Sequence, residues 1–366
     1  MASIGRLLVA TPLYPPELGG PATYAYLLEH HLPPKGVSVT IIPFRSVRQF
    51  PKVIRHVAYF FAVYRAAKQT DAILALDPVS VGLPAYVAAK LAGKRFFVKI
   101  VGDYAWEQGR QRFGVHDSLD DFIVRKYVSL PVALFRSVQT HIARNAERVL
   151  VPSYYLRSIV QSWGVPESAI SVVYNAVEGK AVGGCPPGLL SARRPLVLYI
   201  GRLVPWKHVD RIIDAVHSVT EQGIPATLVI VGTGPNEKQL RKHAASLKGT
   251  VLFVGSQTPE DTQSILKEAD MVVLNSSYEG LSHVLIEALL QGKAIIATDA
   301  GGNSELITDG VNGMLIPVGD TGALASAIVR LSEDSELKTL LERGARSSCE
   351  SFGIDAMIDG TLQALA

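Results

Sequence analysis

Short apolar runs alternate with longer helical stretches along this chain, and the alternation starts twice. In the first half, residues 6–11, 37–43, 72–76, 95–101, 148–152 and 171–174 read as strands. Most are near-continuous apolar runs, which mark strands covered on both faces, as in parallel sheets. Helical stretches lie between them: one begins near Pro21, one covers 45–71, and a long one covers 122–147 with a break at Pro131. After residue 195 the pattern restarts. Strands at 196–200, 226–231, 251–254, 271–274 and 294–298 are separated by helices from about His208, Asn236, Pro259 and Leu281. Strand-helix alternation of this kind predicts an α/β protein with two Rossmann-like domains.

Residues 178–194, rich in Gly and Pro and without periodicity, read as the connection between the two. The expected organisation is a domain over 1–178, a linker over 179–194 and a second domain over 195–345. A closing helix over 346–366 carries an apolar stripe of Ile354, Met357, Ile358, Leu362 and Leu365, which needs a surface to cover.

Residues 45–71 are the most distinctive part of the first half. At 100° per residue, Val47, Phe50, Ile54, Val57, Phe61 and Tyr64 fall on one side and Arg45, Arg48, Lys52, Arg55 and His56 on the other. Pro51 marks the first helical turn, leaving Arg45 and Arg48 in the lead-in. Two readings stand side by side. In one, the helix packs its apolar side on the sheet and solvates its basic side; in the other, the segment rests on anionic lipid.

The 366 residues exceed one ordinary core, and with 48% hydrophobic and 19% charged residues the chain is no disordered protein. No uncharged apolar run reaches 18 residues and the N-terminus opens on a strand instead of a signal peptide, so a cytoplasmic protein, peripheral to a membrane at most, is expected. Cys185 and Cys349 lack the spacing of a metal site, and a disulfide framework is not expected. The net charge of +3 conceals an asymmetry. Residues 1–180 hold 21 Lys and Arg against 12 Asp and Glu, whereas 181–366 hold 15 against 21, so the first half suits an anionic partner. No zinc, RNP or basic-zipper pattern makes that partner a nucleic acid.

The chemistry concentrates in residues 274–292, L-N-S-S-Y-E-G-L-S-H-V-L-I-E-A-L-L-Q-G. Glu279 precedes a Gly, and Glu287 lies eight positions on, inside an apolar run that reads as helix. A strand, a polar loop and a helix start aim several backbone N–H groups at one place, an arrangement that receives phosphate. The stretch is therefore expected to hold a sugar nucleotide, with Glu287 on ribose hydroxyls and Glu279 on the sugar. Gly19 and Gly20 allow close backbone approach before the first helix, although a plain glycine turn explains them equally. Asp103, after the fourth strand, is placed either to touch sugar or acceptor or to cap the next helix. Arg202 and Lys207 follow the first strand of the second domain. Cleaving a sugar from a diphosphate leaves charge on a phosphate oxygen, which fixed cations can neutralise in place of a metal; no Asp-x-Asp metal motif occurs.

Taken together, G-R-L-V-P-W-K, V-G-T-G-P, V-G-S, S-Y-E-G-L-S-H-V-L-I-E-A and T-D-A-G-G-N-S-E-L-I resemble the retaining glycosyltransferases of family 4 (glycosyl transferases group 1) nearly end to end. The resemblance implies the GT-B fold, two Rossmann-like domains facing across a cleft, with the C-terminal helix crossing back to the N-terminal, acceptor-binding domain. It places Glu287 on the ribose and Glu279 on the donor sugar. Arg202 and Lys207 fall on the diphosphate beside Gly201, and the backbone of Gly280, Leu281, Ser282, His283 and Val284 at the distal phosphate. Val254 and Gly255 line the base, and Gly20 approaches the phosphates. Many members carry His-Asp where this chain has Gly102-Asp103, so Asp103 stands in for the missing imidazole. The implied reaction is metal-independent hexose transfer from a UDP-, GDP- or ADP-sugar, with same-face attack and no cofactor. The expected acceptor is a lipid-linked or cell-envelope glycan, with 45–68 touching anionic membrane. A soluble small-molecule acceptor and an inactive sugar-nucleotide-binding protein are the alternatives. A dinucleotide oxidoreductase ranks last, because Gly232-Thr233-Gly234 lacks the third Gly.

Overall fold

The computed structural model describes residues 4–17, 19–178, 183–186, 189, 191–247, 250–348 and 352–366. The chain divides into two compact units, Met1–Ala176 with Phe352–Ala366, and Val177–Ser351. Part of the expected linker, 179–182, 187–188 and 190, lies outside the described residues, as does Cys349.

In the first unit, β1 (Arg6–Thr11), β2 (Ser38–Pro43), β3 (Ala72–Ala75), β4 (Arg95–Lys99), β5 (Arg148–Val151) and β6 (Ile170–Val172) form a parallel sheet ordered β2-β1-β3-β4-β5-β6. The crossovers carry α1 (Gly20–His31), α2 (Lys52–Ala67), α3 (Gly82–Ala92), α4 (Tyr104–Arg112), α5 (Leu119–Val124), α6 (Leu130–Asn145) and α7 (Tyr154–Ser162). The chain steps one way from β1 to β2 and the other way from β2 onward. Right-handed crossovers therefore put α1 on one face of the sheet and α2, α3 and α6 on the opposite face.

The second unit repeats the plan with β7 (Leu196–Ile200), β8 (Thr227–Val231), β9 (Thr250–Gly255), β10 (Met271–Leu274), β11 (Ala294–Thr298) and β12 (Met314–Ile316), ordered β12-β11-β10-β7-β8-β9. Its helices are α8 (Val209–Glu221), α9 (Glu237–Ala245), α10 (Pro259–Glu268), α11 (His283–Leu290), α12 (Asn303–Leu306), α13 (Thr321–Glu333) and α14 (Ser335–Ser347). Strands β7, β8, β10 and β11 are buried along nearly their whole length, which is why each reads as an apolar run. The last helix, α15 (Ile354–Leu365), returns to the first unit. Met357, Ile358, Ala364 and Leu365 join Leu7, Val9, Tyr24 and Leu28 in one core, and Tyr24 and Thr361 share a hydrogen bond of 2.5 Å. The two parallel six-stranded sheets with their helices make the two Rossmann-like domains of the α/β reading.

Three local expectations are corrected. Residues 122–147 are not one broken helix: α5 ends at Val124 and α6 starts at Leu130, with Pro131 in the first turn, where its missing N–H costs nothing. The helix expected near Leu281 begins at His283, after Ser282 has capped it. The third concerns 45–71. The stripe assigned to the sheet is mostly in solvent: Phe50, Ile54, Val57 and Phe61 are between 41% and 61% exposed. The sheet instead receives Tyr59, Val63 and Ala67, all fully buried, and the Tyr59 hydroxyl donates to the Ile42 carbonyl at 2.7 Å. Spaced by four, those three residues form a slimmer apolar row that lets α2 approach closely. Arg45 and Arg48 leave the basic side altogether. The first donates to the Pro15 carbonyl at 2.6 Å and the second pairs with Glu17, so both brace the loop after β1.

Candidate functional site

The strand order of the second sheet explains how its candidate residues meet. β10 lies beside β7, so the segments leaving their carboxyl ends are neighbours although about 70 residues separate them in sequence. After β7 the chain makes a tight turn over Pro205–Lys207 and passes through His208 at φ 45°, ψ 46° before α8 starts. His208 is the one non-glycine residue with positive φ among the described residues, an uncommon conformation that neighbouring bonds must hold. Two bonds from the end of β10 do this. The Asn275 amide donates to the His208 carbonyl at 3.3 Å, and the Ser277 N–H donates to the Trp206 carbonyl at 2.8 Å.

The result is a charged pair at the strand ends. Lys207 Nζ donates to Glu279 Oε1, and the Ser276 hydroxyl donates to the same oxygen at 2.6 Å. Both partners are mostly buried, at 14% and 10% side-chain exposure, so removing either leaves the other as an uncompensated charge away from water. The Tyr199 phenol sits beneath, donating to the Arg202 carbonyl at 3.0 Å; its burial, and then the Glu279 charge, push its pKa far up and keep it neutral. Arg202 itself is exposed, its guanidinium 5.9 Å from the centre of the Trp206 ring.

Behind the pair the backbone is packed without room for side chains. The Gly302 N–H donates to the Glu279 carbonyl at 2.9 Å, and a Cβ on Gly301, whose φ is +57°, would collide with that carbonyl. A Cβ on Gly232, after β8, would strike the carbonyl of Gly201, and the Gly232 N–H donates to Gly255 at 2.8 Å. The ends of β7, β8 and β9 are thus laced together, which brings Gly201, Val254 and Gly255 to the same edge of the sheet as Glu279.

Gly280, Leu281 and Ser282 lead into α11, where the Ser282 hydroxyl accepts from the Leu285 N–H at 3.3 Å. The first-turn amides of His283 and Val284 lie at that helix start, one turn before Glu287. Burial alone pushes the Glu287 carboxyl up to about 7. Its carboxylate makes no hydrogen bond among the described residues.

Gly20 and Asp103 belong to the first unit. Gly20 opens α1, after Gly19 at φ 144°. Asp103 is the N-cap of α4: buried, accepting from the Trp106 N–H at 2.9 Å, with its pKa raised by that burial. The structure thus gives Asp103 the capping role that was one of its two readings. Ser276, Asn275 and His208 were not singled out from sequence. Ser276 stands three residues before Glu279, but that it folds back on the carboxylate depends on a turn that no periodicity reports.

A model of glycosyl transferases group 1 matches residues 187–348, and a model of the glycosyl transferase 4-like domain matches 7–176. The chain is 34% identical over 154 residues to an alpha-D-kanosaminyltransferase of Streptomyces kanamyceticus, covering 42% of this chain and 40% of that protein. It is 30% identical over 213 residues to a GDP-mannose-dependent alpha-mannosyltransferase of Mycobacterium tuberculosis, covering 56% and 53%. The chain spans about half the length of the curated relatives it matches. Among solved structures, Anabaena HepE in complex with UDP and glucose superposes with a TM-score of 0.77 at 20% identity, covering 98% of this chain and 99% of that one. Sucrose-phosphate synthase from Thermosynechococcus elongatus gives 0.79 at 19% identity, with 98% of both chains covered. Both likenesses show the fold, the two-sheet GT-B architecture.

Proposed function

The chain belongs to the group 1, family 4 glycosyltransferases, and from that premise we propose that it transfers a hexose from a nucleoside-diphosphate sugar with retention at the anomeric carbon. The observation that carries this reading is the buried constellation of Lys207, Glu279 and Ser276 beside the start of α11. The anomeric carbon–oxygen bond breaks with its electron pair going to the phosphate oxygen. Lys207 and Arg202 supply the compensating charge, so no divalent ion is called for. Glu279 accepts from the sugar hydroxyls, Glu287 from the ribose, and the N–H groups at residues 281–284 receive the distal phosphate. The acceptor oxygen bonds to carbon on the face the phosphate leaves, and its proton passes to that phosphate.

The reading extends to the acceptor, a lipid-linked or cell-envelope glycan presented at the inner face of a membrane, with residues 45–68 as the contact. The solvent-facing Phe50, Ile54, Val57 and Phe61 support it, as does the absence of Asp and Glu from that segment. Among the described residues no helix is long and apolar enough to cross a membrane, so the contact is one of surface. The test is a thermal-shift and turnover screen of UDP-, GDP- and ADP-hexoses, with and without EDTA. A donor that raises the midpoint and is cleaved at equal rate in EDTA supports the proposal; loss of turnover in EDTA overturns its metal-free step, and no response to any donor overturns the whole.

A further inference from the structure

The exposed apolar row on α2 does not stop at that helix. α3 packs against α2 on the same face of the first sheet and exposes Leu83, Val87 and Leu91, at i, i+4 and i+8. α6 follows on that face, joined to α3 where the His141 ring meets Tyr86 edge-on at 5.7 Å, and exposes Leu130 and Leu134 at 84% and 60%. Single exposed apolar residues are ordinary, but rows on three adjacent helices are not.

The charge pattern says what covers them. Residues 44–70, 78–94 and 126–146 contain no Asp or Glu, while Arg65, Lys68, Lys90, Lys94, Lys126 and Arg144 all fall within them. Beside α6 an open basin of about 580 Å³ is lined by Lys126, Arg136, His141 and Arg144. Arg144, one of the lining residues, is anchored at the basin wall by its Nε, which donates to the Trp163 carbonyl at 2.5 Å, and by the packing of its guanidinium against Gly164. A protein partner's interface mixes both signs and a second copy would bring the same cations, whereas a bilayer of anionic phospholipid offers acyl chains for the leucines and phosphates for the basin.

We propose that the faces of α2, α3 and α6 together form one docking surface for an anionic phospholipid bilayer, with the α6 basin as the phosphate head-group site. This rests on the membrane reading of residues 45–68 and enlarges it by two helices. Binding strength then follows apolar insertion plus charge, and charge contributes about fivefold in partitioning per cation near the surface.

Flotation of the full chain with phosphatidylcholine vesicles, and with phosphatidylcholine vesicles containing phosphatidylglycerol, tests this. Wild type is expected to float with the anionic vesicles, less so as salt rises, and to stay behind with the neutral ones. The pair Leu91→Ser and Leu134→Ser, on α3 and α6, is expected to lower partitioning at least tenfold with an unchanged thermal midpoint, as is Lys126→Glu, which reverses a charge at the basin. If only Ile54→Ser with Phe61→Ser on α2 lowers binding, the narrower reading stands and the three-helix surface is wrong. If no variant matters, or neutral vesicles bind equally, both fall. A dimer in sedimentation that Leu91→Ser and Leu134→Ser abolish, without flotation, assigns the face to a second copy and also overturns the proposal. Donor cleavage with a soluble acceptor is expected to be the same in all these variants, which separates this outcome from failure of the glycosyltransferase reading.

Discussion

In the second unit the polar side chains of the candidate site are bonded to one another, Lys207 and Ser276 to Glu279, Asn275 to the turn behind Lys207. In the first unit the most conspicuous side chains, Phe61, Leu91 and Leu134, meet solvent. The same α/β plan serves both, with two parallel six-stranded sheets. The difference teaches where each half spends its sequence. A group that must meet developing charge within fractions of an ångström is fixed in advance by its neighbours. The proposed membrane face, meeting a fluid partner, would gain nothing from such fixing.

The sharpest way to break that contrast is Lys207→Ala. It is expected to lower kcat about 10²–10³-fold with a smaller change in KM, measured as nucleoside-diphosphate release. An unchanged kcat would deny Lys207 its place at the leaving group. Next comes Gly301→Ala, which forces a side chain onto the Glu279 carbonyl at positive φ. A loss of about 2 kcal/mol is expected, seen as a Tm lower by roughly 4–8 °C. A neutral Gly301→Ala would show that the floor of the site is softer than described.

Glu287 sharpens the contrast through pH. With its carboxyl pushed up to about 7, the donor-free protein holds a proton there below that pH, and a protonated acid is a poor acceptor for two ribose hydroxyls. Donor affinity is therefore expected to fall about tenfold per unit as pH drops below about 7, and Glu287→Gln to flatten the profile in calorimetric titrations. A wild-type affinity that does not change between pH 5.5 and 8, values chosen about 1 unit or more either side of that pKa, would remove Glu287 from the ribose.

The smallest effect lies in the first unit, where Lys99 is buried over the Tyr24 ring and donates to the Val173 carbonyl at 3.3 Å. Burial pushes its pKa down to about 7 from 10.5. Between those values the unfolded chain holds a proton that the folded one has released, so this group's contribution to stability rises with pH across that window. It is least favourable at and below about 7. Lys99→Met is expected to raise stability by about 1 kcal/mol at pH 7 and by less at pH 9 in denaturant titrations. A destabilised Lys99→Met would mean that the cation earns its place in this core.

Much of this was legible beforehand, for a physical reason. Residues 6–11, 196–200, 271–274 and 294–298 are covered on both faces, so burial wrote each as an apolar run whose limits the strands reproduce. β12, three residues long and half-buried, left no such trace and was missed. For α2 the periodicity was real but its phase was not decidable, because Tyr59, Val63 and Ala67 form a second apolar row beside the conspicuous one. Lys207 and Glu279 were legible as residue types suited to a leaving phosphate and a sugar. Their pairing through Ser276 was not, because it arises from β10 lying beside β7, which depends on strand order alone.

The Lys207–Glu279 pair has a further consequence for which ligands the site retains. Each charge already occupies the place of a counterpart, so a ligand offering phosphate alone engages the lysine and strands the carboxylate, and a free sugar does the reverse. A molecule carrying both relieves both at once. In the proposed reaction the pair acts as a two-key lock that favours the intact donor over either fragment, and its re-forming once the two halves part helps to eject the spent nucleotide. Calorimetric affinities for a donor analogue and for its nucleoside diphosphate should differ in that sense, and the gap should narrow in Glu279→Gln.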